Sequence, residues 1–150
     1  MAITSELRED HIRVITMEHG KVNALPVADW FGVAEALAEA GRDRDTHVVV
    51  LRAEGRGFNA GVDIKEMQNT TGFDALLGAN AGCYAAFKAV YECPVPVIAA
   101  VNGHCIGGGV GLVGNATSSS PPTTRCSACP RSIAEPSAPQ RISRAWSRST

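Results

Sequence analysis

Hydrophobic and polar positions along the chain predict alternating strands and helices. Residues 12–17 (IRVITM) largely alternate apolar with polar, the period of a half-buried strand, and residues 47–51 (HVVVL) hold the continuous apolar run of a buried strand. Between them, residues 28–40 predict a helix that ends at Gly41. Strand, helix, strand is the repeating unit of an α/β layer, so we expect an α/β fold.

The same pattern returns further along the chain. A glycine-rich turn over residues 55–61 precedes a predicted helix over 74–91, and the apolar run 95–101 predicts a third buried strand. The side chains expected to pack on the core are Trp30, Val33, Ala34, Leu37 and Ala38 in the first helix, and Leu76, Leu77, Cys83, Tyr84, Phe87 and Val90 in the second.

Length and charge narrow the class of protein. A chain of 150 residues with 45% hydrophobic content suits one globular domain, and a formal net charge of −1 gives no basic surplus for nucleic acid or an anionic membrane. We therefore expect a small-molecule partner or a second copy of the chain. The N-terminus is charged where a signal peptide is apolar, and residues 95–101 are too few to span a bilayer, so we expect a cytoplasmic protein.

The cysteines do not indicate a metal site or a disulfide framework. Five cysteines form no even set, and in a reducing compartment they stay as thiols. Cys126 and Cys129 make a C-x-x-C, but a single pair without nearby histidines is weak evidence for zinc. We expect no metal.

Composition changes abruptly after Ala116. Residues 117–150 are rich in Ser, Pro and Arg, contain Glu135 as their one acidic residue, and show no amphipathic period. This composition is typical of a disordered tail or a linker. We therefore divide the chain into a domain over residues 1–116 and a tail over 117–150.

Two interpretations of the glycines compete. Residues 109–114 (GVGLVG) fit the dinucleotide pattern G-x-G-x-x-G, with Glu135 downstream, but that pattern needs its first glycine at the end of a strand, and residues 102–108 intervene. Residues 55–67 and 96–109 together give a better account, because each follows or includes a buried strand and can open a helix. Two such loops could aim two backbone N–H groups at one oxygen, which is an oxyanion hole.

Three segments carry a family resemblance. Residues 58–67 fit F-x-A-G-x-D-I-K-E-M, residues 96–109 fit P-V-I-A-A-V-N-G-x-x-x-G-G-G, and residues 21–25 read KVNAL. With these motifs, roughly residues 10–116 resemble the enoyl-CoA hydratase/isomerase (crotonase) superfamily. The resemblance implies a crotonase-like spiral of ββα repeats, truncated here and followed by a non-family tail. It also implies trimers or hexamers, an acyl-CoA substrate, and no cofactor beyond the coenzyme A that the substrate carries.

The resemblance also assigns roles to individual residues. It places the oxyanion-hole donors at the backbone N–H groups of Val62 and Gly108, which would polarise the thioester carbonyl and stabilise an enolate. The residues matching the family's CoA-contacting main chain are Val22, Ala24, Ala60, Gly61, Asp63 and Ile64. For the side chain of Asp63 we favour a structural role, capping the turn that follows.

One acid of the family is missing. Hydratases of the superfamily use two glutamates, and Gly111 occupies the position of the first. A glycine cannot transfer a proton, which removes a contribution of typically about 10²–10⁴-fold to hydration. The resemblance therefore favours an isomerase, a C–C hydrolase, a synthase or a lyase of lipid or steroid catabolism. Residues 58–63 and 91–93 also resemble actinobacterial members that open steroid-derived rings.

The remaining chemistry is open. His104 is the nearest titratable base to the glycine turn, and it could act in catalysis or be a loop histidine that makes one hydrogen bond. A non-catalytic CoA-binding fragment and an inactive gene product stay as alternatives to an enzyme.

A one-nucleotide slip accounts for the tail. Codons for D-I-I-V-A-S-D-D-A, read one base late, can encode the TSSSPPTTR of residues 117–125. Residues 125–132, shifted back, can encode A-V-F-G-L-P-E-V, which resembles the family segment that bears the second glutamate. We therefore predict that this chain is a frameshifted or truncated form without a complete active site.

Overall fold

The computed structural model describes residues 2–70 and 72–120, which form nine strands and four helices. The strands are β1 (Ile3–Leu7), β2 (Ile12–Met17), β3 (Ala24–Leu25), β4 (Val48–Ala53), β5 (Gly57–Asn59), β6 (Gly61–Val62), β7 (Val97–Ala100), β8 (His104–Cys105) and β9 (Ser118–Ser120). The helices are α1 (Val27–Arg42), α2 (Ile64–Asn69), α3 (Asp74–Tyr91) and α4 (Gly108–Asn115).

The main sheet has five strands in the order β1-β2-β4-β7-β9. The edge strand β1 is antiparallel to β2, and the other neighbours are parallel. Two short parallel pairs, β3 with β6 and β5 with β8, stand beside it. Because β2, β4 and β7 run in the same direction, the loops that follow them all leave from one edge of the sheet, where ligands bind in open α/β sheets.

The predicted elements are present, with ends that shift by a few residues. The strand over 12–17 and the helix over 74–91 are confirmed at both ends, while α1, β4 and β7 differ from the predictions at their ends. Periodicity did not indicate β1, because its residues lie at the sheet edge and are largely exposed. It also missed the two-residue strands and the helices α2 and α4, which are too short to show a period.

Helix α1 packs on the core mostly as predicted. Trp30, Val33 and Leu37 are fully buried, and Ala34 is partly buried against the core, as predicted. Ala38 is exposed, so the prediction for this residue is wrong. Ala36 and Ala40 are buried instead.

The prediction for α3 is wrong at three of its six side chains. Leu76, Leu77 and Tyr84 are 52%, 64% and 67% exposed, while the buried positions are Ala75, Ala79, Gly82, Ala86 and Val90. The cause is a close approach to α1, since a Cβ atom added at Gly82 would lie 2.9 Å from Cβ of Trp30. Small residues therefore fill the contact with α1, while Cys83, Phe87 and Val90 pack on the core as predicted.

The sheet continues past the predicted domain boundary at residue 116. The backbone N–H of Thr117 donates to the Val97 carbonyl (2.9 Å), and the Ser120 hydroxyl accepts from the N–H of Val101 (3.1 Å). Residues 117–120 thus extend the sheet through β9. Residues 121–150, with Cys126, Cys129 and Glu135, lie outside the described residues, and the predictions for them stay predictions.

Two further features concern the described part of the chain only. Cys83, Cys93 and Cys105 form no disulfide there. None of the helices over residues 2–70 and 72–120 combines the length and the apolar composition needed to cross a membrane.

Candidate active site

A buried asparagine ties the loop after β2 to the loop after β4. Asn23 is fully buried in a left-handed conformation (φ 51°), and its Nδ2 donates to the carbonyls of Glu54 (2.6 Å) and Gly57 (2.9 Å). Its Oδ1 accepts from the backbone N–H of His19 (2.7 Å). All the polar groups of this side chain are used to hold the loops, which explains why the KVNAL segment contains asparagine. Sequence reasoning had not singled it out.

The loops after β4 and β7 are joined by backbone contact. Strands β5 and β8 pair in parallel, and an isolated bridge links Gly57 to Gly103. Gly103 has φ 59°, and a Cβ atom there would lie 2.0 Å from the Arg56 carbonyl oxygen. Only glycine allows the two main chains to come this close.

The two predicted oxyanion donors lie where these loops meet. Gly61, which precedes Val62, has φ 91°, and a Cβ atom there would lie 3.2 Å from the backbone nitrogen of Gly108. Asp63 N–H donates to the Leu25 carbonyl (2.9 Å). Since successive N–H groups of a strand point in opposite directions, the Val62 N–H points away from β3. The structure therefore brings the neighbourhoods of Val62 and Gly108 together.

The second donor stands at a helix start. Gly107 (φ 56°) is the N-cap of α4 and Gly108 is its first residue, so the N–H of Gly108 has no carbonyl within its own helix to bind. A Cβ atom at Gly108 would lie 2.6 Å from Cη2 of Trp30. The buried indole thus lines one side of this helix start, and any side chain at residue 108 would displace it.

The residues matching the CoA-contacting main chain cluster around β3 and β6. Ala24 pairs with Gly61, and the Ala60 N–H donates to the Asn23 carbonyl (3.2 Å). Val22 and Ile64 are 42% and 66% exposed, which leaves apolar surface beside the loops.

The acidic residues of the DIKEM segment have structural contacts. Asp63 is the N-cap of α2, and its Oδ1 accepts from the N–H of Lys65 (2.9 Å), so the capping role that we favoured for its side chain is confirmed. Glu66, which sequence reasoning had not singled out, accepts from the N–H of Val27 (2.8 Å) at the start of α1. These two carboxylates bind backbone N–H groups at the starts of two helices.

His104 packs against the loops. Its Nε2 lies 3.3 Å from the Val22 carbonyl oxygen, and a Cβ atom at Gly57 would lie 2.3–2.4 Å from the imidazole. These contacts favour the loop histidine that makes one hydrogen bond, and a catalytic role for His104 stays a prediction. Over residues 2–70 and 72–120 no three His, Cys, Asp or Glu side chains are grouped so as to hold a metal ion.

An aromatic ring covers Gly111, the residue that the resemblance places at the first hydratase glutamate. A Cβ atom at Gly111 would lie 2.4–2.8 Å from the ring carbons of Phe87. Phe87 in turn meets Trp30 edge-to-face, with ring centroids 5.9 Å apart. A glutamate at residue 111 would require this ring to move. Glycine at residue 111 and the position of the Phe87 ring therefore depend on each other.

The dinucleotide interpretation of residues 109–114 is contradicted. All six residues lie inside α4 rather than in a turn between a strand and a helix. A Cβ atom at Gly109 would lie 2.8 Å from the Asn59 carbonyl oxygen, so Gly109, like Gly111, allows a close packing contact.

Comparison with known protein families identifies the family of this chain. The enoyl-CoA hydratase/isomerase family matches residues 8–116. The chain belongs to this family. The superfamily resemblance and the crotonase-like α/β fold class are therefore confirmed.

Two relatives are much more similar than the family at large. Each bears the name (7aS)-7a-methyl-1,5-dioxo-2,3,5,6,7,7a-hexahydro-1H-indene-carboxyl-CoA hydrolase. The one from Rhodococcus jostii is 63% identical over 116 residues, covering 77% of this chain and 45% of the relative. The one from Mycobacterium tuberculosis is 64% identical over 115 residues, covering 77% and 47%.

Solved structures agree with the family assignment. An enoyl-CoA hydratase from Bacillus anthracis superposes with a TM-score of 0.73 at 26% identity, over 79% of this chain and 46% of that structure. The chain thus spans less than half the length of each of these three crotonase-family proteins.

Proposed function

We propose that this crotonase-family protein acts on an acyl-CoA thioester by stabilising an enolate at the backbone N–H groups of Val62 and Gly108. The observation that carries the proposal is the approach of Gly61 to the nitrogen of Gly108, since a Cβ atom there would lie 3.2 Å away. The fold would already hold both N–H donors in position for the thioester oxygen, so the site would not need to reorganise during the reaction. By comparison with measured oxyanion holes, loss of one donor costs on the order of 10²–10³ in rate.

The reaction that fits best is hydrolysis of a C–C bond in a steroid-derived CoA thioester. Phe87 packs over Gly111, where the resemblance places the first hydratase glutamate, and this packing supports a reaction other than hydration. The two relatives at 63% and 64% identity are named as hydrolases of such a compound. In this chemistry, water adds to a ring ketone, the bond to the thioester α-carbon breaks, and the electron pair stays on that carbon as the enolate. Protonation of that carbon completes the reaction.

Calorimetric titration with acetyl-CoA tests the proposal. We expect the 150-residue chain to bind acetyl-CoA even if its active site is incomplete, because both donors lie within residues 1–116. Gly61→Ala should weaken binding at least tenfold, because the methyl group added at this positive φ would press against the backbone nitrogen of Gly108. Gly72→Ala is the matched control: its φ of 80° gives similar backbone strain, but no atom of the described residues lies within 4 Å of the added Cβ atom. It should bind like the wild type.

Three results would contradict the proposal. If the wild type did not bind acetyl-CoA, the proposal that the substrate is an acyl-CoA would be wrong. If the wild type and Gly61→Ala bound acetyl-CoA with equal affinity, the proposed role of the two glycine loops in binding would be wrong. Crotonyl-CoA hydration at a rate typical of dedicated hydratases would contradict the choice of C–C hydrolysis.

A further inference from the structure

Asn59 belongs to the first glycine loop (residues 55–67) and also contacts the second (residues 96–109). It is fully buried, and its Oδ1 accepts from the backbone N–H of Gly61 (2.7 Å). Its main-chain carbonyl accepts from the N–H of Ile106 (3.0 Å) on the other loop. Because an N–H needs an acceptor, the contact with Gly61 also determines which end of the amide is oxygen.

The first contact holds the peptide unit next to the Val62 donor. Asn59 Oδ1 binds the Ala60–Gly61 peptide, and the Leu25 carbonyl binds the Val62–Asp63 peptide through the N–H of Asp63 (2.9 Å). The Gly61–Val62 peptide, which carries the N–H of Val62, is thus held on both sides. Without the side chain of Asn59, glycine at residue 61 would let this peptide rotate.

The second contact leads to the Gly108 donor. The N–H of Ile106 is bound by the main-chain carbonyl of Asn59, and the carbonyl of Ile106 accepts from the N–H of Gly109 (3.0 Å) in the first turn of α4. Gly109 also packs against Asn59, since a Cβ atom there would lie 2.9 Å from Cβ of Asn59. Asn59 therefore contacts the segments on both sides of the gap between the two donors.

We propose that Asn59 is a positioning residue that aligns the N–H groups of Val62 and Gly108 on the thioester oxygen. This inference rests on the proposed function. The amide supplies an acceptor without a negative charge, which matters beside an oxygen that becomes negative. Its Nδ2 has no hydrogen-bond partner among the described residues, so only the acceptor end of the side chain is used.

Replacement of Asn59 by aspartate separates the effect of the hydrogen bond to Gly61 from the effect of a negative charge. Asn59→Asp keeps an acceptor for Gly61 and loses no hydrogen bond at Nδ2. In the protonated form it should behave like asparagine, whereas the carboxylate would repel negative charge on the bound oxygen. Burial disfavours the carboxylate, so the change should come above the ordinary pH range for an aspartate. Asn59→Ala removes the acceptor at every pH.

Infrared difference spectra of acetyl-CoA with a ¹³C-labelled carbonyl measure the alignment. We expect the carbonyl stretch to move to lower frequency on binding to the wild type, and most of this shift to be lost in Asn59→Ala. Asn59→Asp should retain the shift at low pH and lose it as pH rises. Thr46→Ala is the structural control: Thr46 is a buried residue that binds Arg13 and Asp43 near the opposite edge of the sheet, and its loss should leave the shift unchanged.

The outcomes distinguish this inference from the proposed function. If the wild type does not bind acetyl-CoA, or binds it without a carbonyl shift, both are overturned. A wild-type shift that persists in Asn59→Ala overturns the role of Asn59 alone. If Asn59→Ala does not fold, a shift in Asn59→Asp that stays constant between pH 4 and pH 9 overturns it instead.

Discussion

At the scale of single residues, the glycines of the site have several physical causes. Gly61 and Gly107 adopt positive φ values of 91° and 56°, which glycine favours, where the two loops meet. Gly108 and Gly111 leave room for the aromatic rings of Trp30 and Phe87. A glycine-rich segment therefore does not have a single role, and each position needs its own contact to explain it.

Asp43 offers a residue-scale prediction on pH. Hydrogen bonds from the Asp45 backbone N–H, the Arg13 guanidinium and the Thr46 hydroxyl hold the pKa of the Asp43 carboxyl below its ordinary value. The unfolded chain then takes up a proton first as pH falls, so this carboxylate stabilises the fold at neutral pH and the contribution is lost in acid. We expect the free energy of unfolding in urea to fall less between pH 7 and pH 3 in Asp43→Asn than in the wild type.

The control for this measurement is Asp45→Asn, which keeps the backbone N–H that donates to the Asp43 carboxylate. It should follow the wild-type dependence on pH. An Asp43→Asn protein with the full acid loss of the wild type would show that the Asp43 contacts do not contribute to it.

At the scale of elements, the packing of α3 on α4 decides what chemistry the site can hold. Helix α3 places Phe87 over Gly111, and α1 places Trp30 against both Phe87 and Gly108. The two aromatic rings form an apolar wall beside the start of α4. Under the proposed function, this wall takes the place of a proton-transferring carboxyl group of a hydratase.

A double-mutant cycle tests this packing. Gly111→Ala puts a methyl group 2.4–2.8 Å from the Phe87 ring and should destabilise the wild type, since overpacking costs about 1–3 kcal/mol. In a Phe87→Ala background the same change has room, and it should stabilise the helix by up to about 1 kcal/mol. Urea unfolding of the four proteins measures the coupling.

Gly114→Ala provides the matched control in the same helix, because within residues 2–70 and 72–120 no atom lies within 4 Å of its added Cβ atom. It should stabilise both backgrounds equally. Equal effects of Gly111→Ala with and without Phe87 would contradict the contact.

At the scale of the whole molecule, the strand β9 is unusual for its position. It consists of Ser118–Ser120 and pairs in parallel with β7, whereas parallel strands are usually rich in Val and Ile. The restored frame would place Ile, Ile and Val at these three positions. The strand direction and pairing thus agree with the frameshift hypothesis, which stays a prediction.

Resequencing the gene tests the hypothesis directly. We expect a missing base near the codon of Ala116, whose restoration opens a frame that contains F-G-L-P-E-V. A clean read of the present frame, together with a cooperatively folding and catalytically active 150-residue protein, would contradict it.

The main strands and helices, the family and the two glycine loops could be predicted from the sequence, because apolar periodicity and short motifs are local properties. The sequence also predicts, through the family resemblance, that Gly111 stands in the place of the first hydratase glutamate. It could not show that Phe87 fills that space, that α3 buries its small residues, or that Asn23 and Asn59 bind the loops, because each depends on segments far apart in the chain. Only the tertiary structure determines which distant backbone groups meet, and at this site most of the positioning is done by the backbone.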